Sequence, residues 1–327
     1  MSTYDASMLL EVRNLRVSFP VRHAGRSVRV RALDDVGFAL ASAETLGIVG
    51  ESGSGKSTLA RTLLRLNEPE HGQVRFRGLD LLSLNGTELQ RARARLQMIF
   101  QDGIAALDPR QRIGATLEEP LQVLKPELSE DARRERVLTV LARVGLEPQH
   151  LQRYPHQLSG GQAQRIGIAR ALIVEPELIV CDEPLSSLDV SIKAQITALL
   201  LELKRELRLS LIFIAHDLPA VQLLSDRVLV LYLGRVMEIA ARDALFQRPR
   251  HPYTRALLQA VPVPDPRIAR QRRAPPLAGE IPSSLSPPSG CVFRTRCPHA
   301  IERCALELPV LRQLGDSQVA CHRAEEL

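Results

Sequence analysis

Aromatic residues make up only 3% of this 327-residue chain, and lysine occurs at just four positions, 56, 125, 193 and 204. The net charge is nevertheless +6, carried mostly by arginine spread along the chain rather than gathered beside aromatic rings. Nucleic-acid surfaces combine basic stripes with stacking side chains, so this distribution reads as a solvated arginine-rich surface, and no nucleic-acid partner is expected. Long apolar runs are missing too. Stretches such as "LSLIFIAHDL" and "RVLVLYLGRV" are broken by charge well before the roughly 20 residues that a bilayer-crossing helix needs. Membrane association is expected to come through partners. The N-terminal "MSTYDASMLLEVRNL" lacks the series of basic region, apolar run and small-residue cleavage site, which argues against secretion and for a cytoplasmic chain. Cysteine is scarce, yet four of the five fall in the last 37 residues.

What is present suffices for a folded protein. With 45% hydrophobic and 24% charged residues the chain resembles ordinary globular proteins, and its length allows one large domain with an appendage or two modest ones. Residues 9–19 and 28–50 read as β-rich, the latter ending in the buried-strand run "TLGIVG". From about 87 to 160, "GTELQRARARLQMIF" and "SEDARRERVLTVLARVGL" carry helical spacing, and "LSEDA" supplies a helix start. Strand runs "ELIVCDE", "SLIFIAHD" and "DRVLVLYLG" then alternate with helical "SIKAQITALLLELKREL" and "LPAVQLLS", which implies an α/β fold with a mostly parallel, helix-covered sheet. Residues 262–289 are too rich in proline for helix or ladder and read as an extended linker.

Three motifs carry chemistry. "GESGSGKST", residues 50–58, satisfies G-x-x-x-x-G-K-[ST] between a strand and a helix: Gly50, Glu51, Ser52, Gly53, Ser54 and Gly55 form a loop whose N–H groups can face phosphate. Lys56 would reach the β- and γ-phosphates, the Ser57 hydroxyl would bind Mg²⁺, and Thr58 completes the motif. "LIVCDEP" ends a strand in Asp182, placed to hold Mg²⁺, and Glu183, placed to polarise water as a general base. Alone, such a pair is usually a solvated turn; its significance comes from the loop. In "LSGGQAQRIGIARAL", Ser159 caps a helix behind Gly160 and Gly161, with Gln162 next, giving a second anion-ready helix start.

"LSGGQ" between such a loop and "CDEP" resembles the signature of the ATP-binding cassette (ABC) family, and the resemblance covers essentially the whole chain. It implies a P-loop NTPase nucleotide-binding domain over 9–250, with a RecA-like, mostly parallel sheet, an antiparallel β subdomain and an α-helical subdomain at about 87–160. It implies that ATP and Mg²⁺ bind, that ATP is hydrolysed, and that two such domains pair head to tail so that Ser159, Gly160, Gly161 and Gln162 serve the partner's ATP. Phe19 in "VSFP" matches the ring that stacks on adenine, Gln101 in "MIFQD" the glutamine near Mg²⁺ and the attacking water, Asp189 in "SSLDV" the loop crossing the interface, and His216 in "FIAHDL" the histidine at the γ-phosphate.

"HPYTRALLQAVP", residues 251–262, is similar to the opening of the C-terminal extension, here 251–327, of oligopeptide and dipeptide importer ATPases. That branch implies a second ABC ATPase subunit, either a different chain or a second copy, two transmembrane permease subunits, an extracytoplasmic solute-binding protein acting indirectly, and a peripheral place on the cytoplasmic face of the membrane. Nickel, an opine or a peptide-like antibiotic are alternative cargoes, and a non-transport ATPase is the remaining alternative. One departure stands out: after Gln101 the chain reads "DGIAALDPRQR" rather than the branch's usual Asp-Pro and Ser-Leu-Asn-Pro-Arg, so contacts with a permease there are less defined.

Cys291, Cys297, Cys304 and Cys321 are separated by five, six and sixteen residues. A cytosolic chain disfavours disulfides, the close pairs usual for Zn²⁺ are absent, an iron–sulfur cluster accepts this spacing, and four buried thiols are the plain alternative. Resemblance to the importer module, 291–322 here with its "RCP" and "ACH", implies a structural 4Fe-4S cluster, with Zn²⁺ as the alternative. Cys181 reads as a small buried apolar residue.

Overall fold

A computed structural model describes residues 8–23, 25–260 and 279–327. Two sheets share the framework. The first is antiparallel and runs β2 (Arg26–Ala41), β1 (Met8–His23), β4 (His71–Phe76), β5 (Leu79–Asp80). The second places β3 (Thr45–Val49) between β8 (Ser210–Ile214) and β9 (Arg227–Tyr232), with β7 (Leu178–Asp182) and β6 (Leu96–Ile99) beyond β8, all five parallel. Every residue of β3, β7 and β8 is buried, as expected of unbroken apolar runs covered on both faces. The C-terminal ends of these strands therefore meet at one edge, where open α/β sheets bind ligands.

Two expectations change. The helical spacing read in "GTELQRARARLQMIF", residues 86–100, splits: a helix spans Gly86–Arg95, and Leu96–Ile99 then enters the sheet against β7. Burial of Leu96, Met98 and Ile99 against a neighbouring strand overrides the local helical pattern. The rest of that region is helical over Ile113–Leu124 and Glu130–Arg143, the latter capped by Ser129, which accepts the Ala132 N–H at 3.3 Å.

The cysteine module, expected beyond an extended linker, packs into the cassette itself. Residues 262–278 of the linker lie outside the described residues, and 279–290 contain neither helix nor strand. Beyond them, β11 (Arg312–Leu314) and β12 (Ser317–Val319) pair as a hairpin, and β12 docks on β10 (Arg235–Ala241), extending the main sheet. Cys291, Val292, Phe293 and Cys304 join the principal hydrophobic cluster. The Phe293 ring packs edge-on to Tyr232, centroids 5.5 Å apart, and tilted against Tyr253 at 5.3 Å. A short segment with too little apolar surface for its own core thus borrows that of the cassette.

Candidate active site

β3 delivers the chain into the glycine loop. A side chain on Gly50 would place its Cβ 2.1 Å from the Leu231 carbonyl oxygen, so β9 admits only glycine there. Gly55, at φ 103°, precedes the helix Lys56–Leu63, and no side chain caps that helix start, which leaves its N–H groups for an anion. The β9–β10 turn clamps the loop from outside, the Gly234 N–H donating to the Ser54 carbonyl at 2.9 Å.

Lys56 is buried, its ammonium donating to the carbonyls of Gly50 at 2.9 Å and Glu51 at 3.0 Å. Burial pushes its pKa down, opposed by the carboxylates of Glu183, Asp182 and Glu51. Ser52, Gly53, Gly55, Lys56, Ser57, Thr58, Gln101 and Glu183 line one cavity of about 300 Å³, closed on another side by Val30, Arg31 and Ala32 of β2.

Of the strand-end acids Glu183 lines that cavity, and Asp182 is tied to it through Ser57. The Ser57 hydroxyl donates to Asp182 Oδ1 at 2.9 Å, and burial raises the Asp182 pKa while that bond lowers it. A hydroxyl and a carboxylate sharing one spot form a hard-oxygen set suited to Mg²⁺, which takes few protein ligands and completes its shell with phosphate and water. Glu183 sits in the left-handed region at φ 47°, uncommon for a residue with a Cβ, and its N–H donates to the Ile214 carbonyl at 2.9 Å. Its carboxylate gathers three groups: Gln101 Nε2 donates at 3.3 Å, His216 Nδ1 lies at 3.4 Å, and Lys56 Nζ at 3.9 Å. Residues from three separate chain segments thus converge on one carboxylate.

Other expected residues lie elsewhere. Ser159 accepts the Gln162 N–H at 3.3 Å and Gln162 Oε1 accepts the Ser159 N–H at 3.0 Å, a reciprocal cap on the helix Gly160–Leu172. Gly161 packs on Ile192, where a Cβ would come within 2.8 Å. Ser159 and Gly160 are exposed, and among the described residues lining the loop's cavity none comes from 159–162. Asp189 caps the helix Val190–Leu207, accepting from Ile192 N–H at 2.9 Å and Ser191 Oγ at 2.7 Å, bonds that hold its carboxyl below the usual range. Phe19 stands 37% exposed on β1, opposite the cavity-lining Val30.

The C-terminal thiols draw together without forming a metal site. Cys291 N–H donates to the Cys304 carbonyl at 2.8 Å, and burial, with lesser repulsion from Cys304, Cys297 and Cys321, pushes the Cys291 thiol up to about 11. Cys297 and Cys321 are pushed up as well, chiefly by burial. All are free cysteines, and among the described residues no three His, Cys, Asp or Glu side chains are arranged to hold a metal ion. Neither the expected 4Fe-4S cluster nor its Zn²⁺ alternative gains support from this arrangement. Cys181, fully buried in β7 and pushed up to about 12, is an inert core thiol.

The sequence reading missed three residues beside the loop. Tyr253 Oη accepts the Glu51 N–H at 2.9 Å, Arg296 pairs with the Glu51 carboxylate, and Ser284 lines the cavity itself. Tyr253 stood within "HPYTRALLQAVP", but nothing local signals contact with a loop some 200 residues away.

Comparison with known proteins agrees with this geometry. Residues 33–186 match the model of the ABC transporter family, and 237–304 match that of the oligopeptide/dipeptide transporter C-terminal region. The chain is 49% identical over 325 residues to the oligopeptide transport ATP-binding protein OppF of Salmonella typhimurium, covering 98% of this chain and 97% of that one. It is 48% identical over 330 residues to OppF of Escherichia coli, covering 99% of each. Among solved structures, the dimeric post-hydrolysis state of the ATP-binding cassette MJ0796 bound to ADP and Pi superposes with a TM-score of 0.64 at 29% identity, covering 71% of this chain and 98% of that one. The structure of cbiO1 from Clostridium perfringens, part of the ABC transporter complex cbiONQ, gives 0.63 at 28% identity, covering 74% and 92%.

Proposed function

The chain belongs to the ABC transporter family, in its oligopeptide and dipeptide branch, and from that premise we propose a division of labour among its residues. It is the ATP-hydrolysing subunit of an importer and powers peptide uptake through partner permease subunits. No helix among the described residues is long and apolar enough to cross a membrane; by its similarity to importer ATP-binding subunits we place the chain as a peripheral subunit, at the cytoplasmic face.

Lys56 and the N–H groups at the start of its helix hold the β- and γ-phosphates. Ser57 and Asp182 hold Mg²⁺, whose charge, when bound, offsets that developing on the transferred phosphoryl group. Glu183 takes the proton of the attacking water, Gln101 and His216 orient it, and Phe19 stacks on adenine. A carboxylate that accepts one amide hydrogen bond while facing a buried ammonium is held in a single orientation, which general-base catalysis requires. The convergence of Lys56, Gln101 and His216 on Glu183 is the observation that carries this assignment.

We assign Ser159–Gln162 and Asp189 to the partner's ATP. The exposure of Ser159, Gly160 and Asp189, and Val190 at 84% exposure beside Asp189, suit a surface covered by a second ATPase subunit, of a different sequence in the reading we favour. A groove of about 890 Å³ lined by Phe100, Gln101, Ala105 and Val123 suits an inserted permease helix. The solute-binding protein would act through the permeases alone. A 4Fe-4S cluster on Cys291, Cys297, Cys304 and Cys321 rests on the resemblance of this module to that of importer ATPases, takes no part in hydrolysis, and is tested by iron and sulfide content after anaerobic purification.

The experiment is reconstitution of the complex with its permease subunits in vesicles. ATP-dependent uptake of labelled oligopeptide is expected, and loss of it in Lys56→Ala; peptide accumulation that ignores ATP would refute the assignment.

A further inference from the structure

The phosphate-binding loop carries an acid of its own. Glu51 follows Gly50 in a segment whose N–H groups are arranged for a highly charged anion, and a free carboxylate there would repel the triphosphate. Its charge is answered from the far end of the chain. Arg296 Nη1 donates to Glu51 Oε2 at 2.6 Å and Nη2 to Oε1 at 3.0 Å, a two-pronged pair whose guanidinium is 5% and carboxylate 22% exposed. The guanidinium is held in turn by the core: Tyr232 Oη lies 3.4 Å away, and the ring centre of Tyr232 lies 5.9 Å from its central carbon. Tyr253 Oη accepts the Glu51 N–H from the same side.

Both the carboxylate and the amide of Glu51 are thereby turned from the nucleotide cavity. Glu51 is absent from the described residues that line that cavity, although Ser52 beside it is present. Ser284, from the extension that carries Arg296, does line it.

We propose that Arg296 is a positioning residue for ATP: it neutralises Glu51 and holds it out of the cavity, so that the C-terminal extension is a working part of the nucleotide site. The proposal rests on the reading of this cavity as the ATP site. Its physical core is charge. Removing Arg296 frees a carboxylate beside four negative charges on ATP but fewer on ADP, so the two nucleotides should not suffer alike. A purely structural staple would weaken both equally and would be indifferent to the identity of residue 51.

The test titrates the full-length chain with fluorescent ATP and ADP analogues in the presence of Mg²⁺, with thermal unfolding followed alongside. Arg296→Met is expected to raise the Kd for ATP on the order of tenfold, and that for ADP distinctly less. The double variant Arg296→Met/Glu51→Gln is expected to return ATP affinity to within about threefold of wild type, because the unpaired charge is gone. Arg296→Lys keeps a cation but loses the two-pronged fit, is the variant to use if Arg296→Met fails to fold, and is expected to lose distinctly less than about tenfold. Equal losses for ATP and ADP, failure of Glu51→Gln to rescue, a tenfold loss in a folded Arg296→Lys, or no change in Arg296→Met would each overturn the proposal. Wild type binding ATP no better than Lys56→Ala would overturn the ATP site itself, and the proposal with it.

Discussion

Phe293→Ala tests whether the C-terminal extension shares the cassette's core. The ring is 1% exposed and touches Tyr232, Tyr253 and His251, with centroid separations of 5.5, 5.3 and 5.9 Å. Truncating a ring so enclosed removes its transfer free energy and leaves a cavity, together about 3–5 kcal/mol. For a chain of this size each kcal/mol moves the melting temperature by about 2 °C, so Tm should fall by about 6–10 °C in a thermal scan followed by circular dichroism. The control is an exposed phenylalanine: Phe19, 37% exposed, should lower Tm by less than about 2 °C on conversion to Ala. Because Tyr253 also accepts the Glu51 N–H, Phe293→Ala should weaken ATP binding besides destabilising the fold. A Tm change in Phe293→Ala no larger than that in Phe19→Ala would refute the shared core and leave the extension a separate lobe.

Other expectations follow from single features. Gly50→Ala should abolish nucleotide binding in a fluorescence titration, because its Cβ would sit 2.1 Å from the Leu231 carbonyl oxygen and the loop must shift to make room. His251 is fully buried, its Nδ1 accepting the Tyr253 N–H, and burial pushes its pKa down to about 3. The unfolded chain, with an ordinary histidine pKa near 6.5, then binds the extra proton, so stability is intact above about pH 6.5 and drains away as pH falls toward 3. At pH 5 the loss is about 2 kcal/mol; Glu238, whose carboxyl burial raises, works in the opposite sense, so denaturant titrations of His251→Gln against wild type isolate the histidine, and parallel pH profiles would contradict the argument. Alkylation at pH 8 with peptide mass mapping should modify the half-buried Cys297 and Cys321 before the buried Cys291 and Cys181. Equal labelling of Cys181 would contradict its place in the core.

The parts of the site legible in the sequence are those in which local chain geometry does the chemistry. The glycine loop, the strand-end acids and the Ser159 cap each work through backbone that a few adjacent residues determine, so their spacing suffices to locate them. Gln101 and His216 were found through resemblance, and their meeting at Glu183 depends on the parallel order of β6, β7 and β8, which alternation of strands and helices implies without fixing. Arg296 and Tyr253 were illegible because a partner 245 or 202 residues away leaves no periodicity to read. That the segment around the cysteines packs into the cassette was equally hidden: their spacing says nothing of Val292 and Phe293 between them, which supply apolar surface that the main core takes in. Leu96–Ile99 was hidden in a helical pattern because four residues carry too short a period to outweigh the ten before them.

The central claim is that Glu183 is the base of a hydrolytic ATP site, and Glu183→Gln tests it most directly, since the amide keeps the shape and cannot take a proton. In the assembled complex, ATP turnover should fall by about a hundredfold or more while the affinity for ATP stays within about threefold and unhydrolysed ATP is recovered with the protein. Turnover near the wild-type rate would contradict the account.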